Sequence, residues 1–204
     1  MAAATFLALG DSYTIGEGVA EEGRWPVQLV ARLRERGFAM DAPRIIAATG
    51  WTTDELASAM DASRLEPHYT LVTLLIGVNN QYRGRSVAEY REQFTALLQR
   101  AVSLAGDAGR VVVVSIPDWG VTTFAEGRDR TAIAREIDVF NAIAREETLR
   151  MHARSVDVTS ASRGAGALSG MLADDGLHPS SAQYSHWVEA IIPATEAALR
   201  GKID

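Results

Sequence analysis

Short apolar runs alternate along this chain with longer stretches in which apolar residues recur every three to four positions. The short runs are Thr5–Leu9, Arg44–Ala48, Thr70–Ile76, Arg110–Ile116 and Ser155–Val158. They are nearly continuous in apolar character, as expected of strands covered on both faces in a parallel sheet. The longer stretches predict helices. Trp25–Glu35 places Val27, Leu29, Val30 and Leu33 on one face, and Arg130–His152 does the same with Ile133, Ile137, Phe140, Ile143 and Ala144. Thr52 with Glu55 and Ser86 with Glu89 have capping-box spacing and open helices to Asp61 and Leu104. Ser180 with Gln183 opens a final helix through Leu199. Alternating strands and helices, without repeats or linkers, predict one α/β domain over residues 1–204, built as a three-layer α/β/α sandwich on a mainly parallel sheet.

Ligands of such sheets bind beyond the carboxyl ends of the strands. The residues after the strands therefore carry the candidate chemistry. Gly10-Asp11-Ser12-Tyr13 follows the first strand, Thr49-Gly50-Trp51 the second, Gly77-Val78-Asn79-Asn80 the third and Pro117-Asp118-Trp119 the fourth. Asp175-Gly176-Leu177-His178-Pro179 comes after the fifth, behind a Gly/Ser/Ala-rich connection, Ser160–Gly170. A serine hydroxyl is a poor nucleophile until an imidazole takes its proton and a carboxylate orients that imidazole. Ser12, His178 and Asp175 are the residues of those types at strand ends. The tetrahedral oxyanion of acyl transfer needs fixed donors, and the Asn79 amide and the Gly50 N–H are suitable ones. Each piece also has an ordinary reading: Gly10–Ser12 as a turn, Asn79 and Asn80 as turn formers, Gly50 as a tight bend, Pro179 as the first residue of the last helix. A different class is open as well. Gly10–Gly18 reads as a phosphate-cradling loop for a flavin in a flavodoxin-like binding module, which leaves Gly50, Asn79 and Asp175-x-x-His178 without a role.

Taken in order, Gly10-Asp11-Ser12, Gly50, Gly77-x-Asn79 and Asp175-x-x-His178-Pro179 resemble the SGNH (GDSL-type) hydrolase family, from Leu7 to Pro179. The resemblance implies five parallel strands in the order 2-1-3-4-5. It implies Ser12 as nucleophile and first oxyanion donor, the Gly50 N–H as second donor, the Asn79 amide as third, His178 as base and Asp175 as its orienting acid. The implied activity is a serine esterase working through an acyl-serine. Three positions depart from the usual pattern: Tyr13 where Leu is common, Asn80 where Asp is common, and Ile45 where Asn is common. These bear on local packing and hydrogen bonding rather than on the reacting groups. Gly77–Gly84 and Ile116–Gly120 are similar to the lysophospholipase-like branch. No long apolar lid helix stands out, so short-chain acyl and O-acetyl esters are the expected substrates. Lysophospholipase or thioesterase action on longer chains is the alternative. Asp11, Trp51, Tyr82 and Trp119 are candidate substrate contacts, with Trp25 and Phe124 as further aromatic candidates. Arg83 and Arg85 are candidate partners for an anionic leaving group, and Pro117–Arg128 reads as a mobile wall.

Composition narrows the picture. The 204 residues are 47% hydrophobic, enough for a sizeable core, and the net charge of −6 offers no basic excess to nucleic acid or an anionic membrane. Arg32-Leu33-Arg34-Glu35-Arg36 reads as a solvated helix face. Cysteine is absent, which removes thiolate nucleophiles and disulfides. His68, His152, His178 and His186 lack zinc-ligand spacing. No metal or organic cofactor is expected, and the expected partner is a small-molecule ester. No apolar run reaches the roughly 20 residues of a membrane span, and Met1–Leu9 lacks a basic region of the signal-peptide kind. A cytoplasmic protein without an integral membrane segment is the expectation.

Overall fold

The structure is a computed structural model that describes residues 3–166 and 168–201. Met1 and Ala2 of the apolar start and Ala167 of the Ser160–Gly170 connection lie outside the described residues.

Five strands form one parallel sheet in the order β2-β1-β3-β4-β5: β1 (Phe6–Gly10), β2 (Arg44–Ala47), β3 (Leu71–Leu75), β4 (Val111–Val114) and β5 (Arg154–Val156). The three inner strands are wholly buried, whereas β2 is half-buried along its length and β5 mixes the two, as their edge positions require. Right-handed crossovers place the connecting helices on opposite faces. The helices run in chain order as α1 (Ser12–Ile15), α2 (Trp25–Glu35), α3 (Thr53–Ala62), α4 (Val78–Tyr82), α5 (Val87–Ala105), α6 (Arg130–Arg150), α7 (Thr159–Ala165) and α8 (Ser181–Leu199). Helices α2 and α8 pack on each other, and α8 also packs on β3, β4 and β5; α5 packs on α3 and α6, and on β3 and β4. The buried apolar side chains form one continuous cluster. Trp25, Trp187, Tyr90, Tyr184, Phe6 and Phe94 are its largest fully buried members. Trp25 stacks at 6.5 Å from Phe6 within this core, so it is no part of a ligand pocket. Indole burial of that size outweighs what an exposed loop position would return.

Local chemistry sets the helix ends. The Thr52/Glu55 capping box of α3 is complete, with the Glu55 carboxylate accepting the Thr52 N–H at 2.8 Å. The other two boxes are half-formed. Ser86 and Ser180 accept from the N–H of Glu89 and Gln183 as expected, but Glu89 turns to Arg85 and Gln93 instead of reaching back. A charge-assisted pair competes well with a second cap bond. Pro179 is not a helical residue: Ser180 is the N-cap of α8, and Pro179 forms an isolated bridge with Leu172. The start of the Ser160–Gly170 connection is helical (α7), because Asp157 accepts the N–H groups of Thr159 and Ser160 and so caps the turn.

Candidate active site

Five strand-end segments converge on one cleft of about 190 Å³, lined by Ser12, Tyr13, Thr49, Gly50, Val78, Asn79, Tyr82, Trp119, Phe124, Leu177 and His178. Ser12 opens α1 directly after β1. Its N–H is one of the orphan donors of a helix start, and among the described residues it has no acceptor. Asp11, the N-cap, accepts the Tyr13 N–H at 3.1 Å and points into the core. It is wholly buried and does not reach the cleft, so it is not a substrate contact. Burial raises its carboxyl to about 7 against the pull of its backbone hydrogen bonds.

Asp175 and His178 are joined locally. Asp175 Oδ1 accepts the N–H groups of Leu177 and His178, both at 2.9 Å, and its Oδ2 lies 2.6 Å from His178 Nδ1. Partial burial pushes the Asp175 carboxyl up. Hydrogen bonds from the His178 ring and the two backbone N–H groups outweigh it, and the net is below the ordinary carboxylate value. An ionised Asp175 only accepts, so Nδ1 carries the proton and Nε2 keeps its lone pair. The Tyr13 ring meets the imidazole edge-on at 5.7 Å and fixes its plane. Ser12 and His178 face the same cleft without a direct hydrogen bond, a contact that commonly tightens only around substrate.

The Gly50 loop is held from three sides. Thr49 donates its hydroxyl to Glu17, Arg83 Nη2 donates to the Gly50 carbonyl at 2.6 Å, and Asn79 Nδ2 donates to the Trp51 carbonyl at 2.9 Å. Gly50 has φ +86°, a backbone state that side-chain-bearing residues rarely adopt. Its N–H has no acceptor among the described residues, and one N–H of the Asn79 amide is likewise uncommitted. Gly77 lets the chain turn from β3 into α4: its φ is +132°, and a Cβ there would meet the Tyr90 ring at 2.6 Å. Asn80 faces away and pairs with Thr53 through both of its amide atoms, which is the altered local bonding its departure from Asp suggests.

The aromatic candidates divide. Tyr82 and Trp119 stand edge-to-face at 5.4 Å, and Trp119 and Phe124 at 6.1 Å, forming one wall. Trp51 is half-buried, packs against the core and does not line the cleft, and its carbonyl accepts from Asn79. The Pro117–Arg128 wall is braced rather than loose. Trp119 Nε1 donates to Gln81, Gln81 donates to Glu136 on α6, and buried Asp118 accepts from Arg163 at 2.8 Å. Two 3₁₀ turns, Trp119–Val121 and Thr123–Ala125, fill the segment. Arg83 and Arg85 are already paired, with Glu55 and with Asp54 and Glu89, so neither is free for a leaving group. Sequence reasoning missed Thr49, Val78 and Leu177 as cleft residues and took Tyr13 for packing alone. Their only signal is adjacency to Gly50, Asn79, His178 and Ser12.

A sequence model of the GDSL-like lipase/acylhydrolase family matches residues 8–186. The chain is 25% identical over 203 residues to esterase TesA of Pseudomonas aeruginosa, covering 97% of this chain and 90% of that protein. Among solved structures, a crystal structure of TesA superposes with a TM-score of 0.75 at 22% identity, over 96% of this chain and 99% of the other. The acetylxylan esterase Axe2 of Geobacillus stearothermophilus superposes with a TM-score of 0.71 at 17% identity, over 96% of each chain.

Proposed function

The chain belongs to the GDSL-like lipase/acylhydrolase family, and on that premise we propose that it cleaves short-chain carboxylic esters through an acyl-serine on Ser12. Ser12 Oγ attacks the ester carbonyl as His178 Nε2 takes its proton. Asp175 holds the imidazole through Nδ1 and stabilises the imidazolium. The carbonyl electrons move to oxygen, which is met by the N–H groups of Ser12 and Gly50 and by the Asn79 amide. His178 returns the proton to the departing alkoxide. Water then attacks the acyl-serine, with His178 again as base, and carboxylic acid leaves.

The observation that carries this reading is the set of unspent hydrogen-bonding groups in one small cleft: an imidazole with a fixed tautomer beside a hydroxyl, and three donors with no protein acceptor. The phosphate-loop reading of Gly10–Gly18 loses its motive, since that segment is a single helical turn that delivers Ser12 to the cleft. A cleft of about 190 Å³ suits a short acyl group, acetyl to butyryl, better than a long chain. O-acetylated sugars fall within that class. A p-nitrophenyl ester series from acetate to palmitate tests the proposal. The expected kcat/KM peaks at two to four acyl carbons, and a peak at long chains would replace it with the lysophospholipase or thioesterase reading. Among the described residues no helix is long and apolar enough to cross a membrane.

A further inference from the structure

The arginines around the cleft are mostly committed. Arg83 is paired with Glu55, Arg85 with Asp54 and Glu89, Arg163 with Asp118 and Asp138, and Arg130 donates to the Thr122 carbonyl. Arg128 is different. Its guanidinium carbon lies 5.5 Å from the Tyr82 ring centroid, 5.4 Å from Trp119 and 5.1 Å from Phe124, the three rings of the cleft wall. Its one side-chain hydrogen bond among the described residues is a long one, Nη2 to the Tyr82 hydroxyl at 3.4 Å, and it has no carboxylate partner there. Nearby in sequence, Asp129 is occupied as the N-cap of α6 and Glu126 forms no ion pair.

Ring faces attract a guanidinium through their quadrupoles and hold its plane without consuming its N–H donors. The side chain is therefore held against the rings while most of its five donors stay open. An exposed cation without a carboxylate partner, beside three rings that line an acyl cleft, stands out in a protein of net charge −6, whose overall field repels anions. We infer that Arg128 forms an anion subsite and that the preferred ester carries a carboxylate or phosphate on its alcohol side, a few bonds from the scissile oxygen. This rests on ester hydrolysis at Ser12 and adds the charge of the substrate to it.

The test compares 4-acetoxybenzoate with its neutral isostere 4-acetoxybenzamide, and adds 4-acetoxyphenyl phosphate, for the native protein, Arg128→Gln and Arg128→Lys. The native protein is expected to favour the anionic esters in kcat/KM by about two- to fivefold, the scale of a solvent-exposed ion pair. Arg128→Gln removes that preference while 4-acetoxybenzamide turnover stays within about twofold, and Arg128→Lys keeps part of it. The preference shrinks as ionic strength rises from ~0.01 M to ~1 M, because the screening length falls from ~30 Å to ~3 Å. Preference for either anion supports the subsite, and the larger ratio tells which anion it takes. An anionic-to-neutral ratio unchanged in Arg128→Gln overturns the inference. So does an equal loss on charged and neutral esters, which would make Arg128 a brace for the wall. Turnover that survives in Ser12→Ala instead sinks the underlying ester reading, a result recognisable because it is independent of Arg128.

Discussion

Among the described residues two depressions lie near the carboxyl ends of the strands, and the larger one is the one whose polar groups are satisfied within the protein. The groove along β5, α6 and α7 measures about 630 Å³ and carries more polar side chains, among them Ser115, Asn141, Asp157, Thr159 and Arg163. Those groups answer one another. The Ser115 hydroxyl meets Thr159 at 2.8 Å and accepts the Val158 and Thr159 N–H groups, while Asn141 clasps both backbone atoms of Ile116. In the Ser12 cleft, of about 190 Å³, the corresponding groups are held in place yet left with free donors and a free lone pair. Reactivity follows from polar groups that are oriented by the fold and unsatisfied within it.

The sharpest way to break this contrast is Ser12→Ala, which is expected to lower kcat by about 10⁴-fold or more. Adding His178→Ala should cost little further, because the two act as one unit. Steady-state kinetics of the single and double variants check it, and additive losses would show that they act separately. Asn79→Ala comes next. A loss of about 10²- to 10³-fold in kcat with KM nearly unchanged is expected of one oxyanion donor. A rise in KM at constant kcat would mean that Asn79 binds the ground state instead. Ser115→Ala probes the other hollow. It strands the Val158 N–H, while the Thr159 N–H keeps Asp157, and should lower stability by about 1–3 kcal/mol, read by denaturant titration, with ester turnover within about twofold.

The last effect is on stability alone and concerns the buried Asp11. Asp11 titrates at about 7 in the folded protein against an ordinary 3.8. Between those values the unfolded chain has released a proton that the fold retains. Its contribution therefore lowers stability as pH rises from 4 toward 7 and levels off above. Asp175, held below 3.8, acts in the opposite sense, losing its stabilising contribution as pH falls through its folded value. Melting curves across pH 4.5–7.5 should show a flatter dependence in Asp11→Asn than in the native protein. The same slope in both would remove the buried acid as its source.

Legibility in the sequence tracks the distance over which each interaction acts. Among the described residues, continuous apolar runs predict all five strands, and helical spacing with cap pairs predicts five of the eight helices, because both signals act over a few residues. The Asp175–His178 pair is legible for the same reason: the two are three residues apart, and one Asx-type turn joins them. The short helix α7 is hidden by its glycines and serines, and its cause, the Asp157 cap, is visible only once the turn forms. Trp25, Trp51 and Trp119 look alike as loop-border aromatics. Packing sends the first to the core, holds the second against the core outside the cleft and fixes the third in the wall.

The sequence by itself determined the parallel α/β architecture and the chemical identities of the reacting groups, since both are written in local pattern and in residue type. Tertiary structure decided which of those groups stay unsatisfied. Arg83 was spent on Gly50 and Glu55, Asp11 was sealed in the core, and Arg128 was left against three rings with most of its donors open. Partners in these pairings come from segments that are distant along the chain, and whether a charge is matched or left exposed depends on what the fold sets beside it.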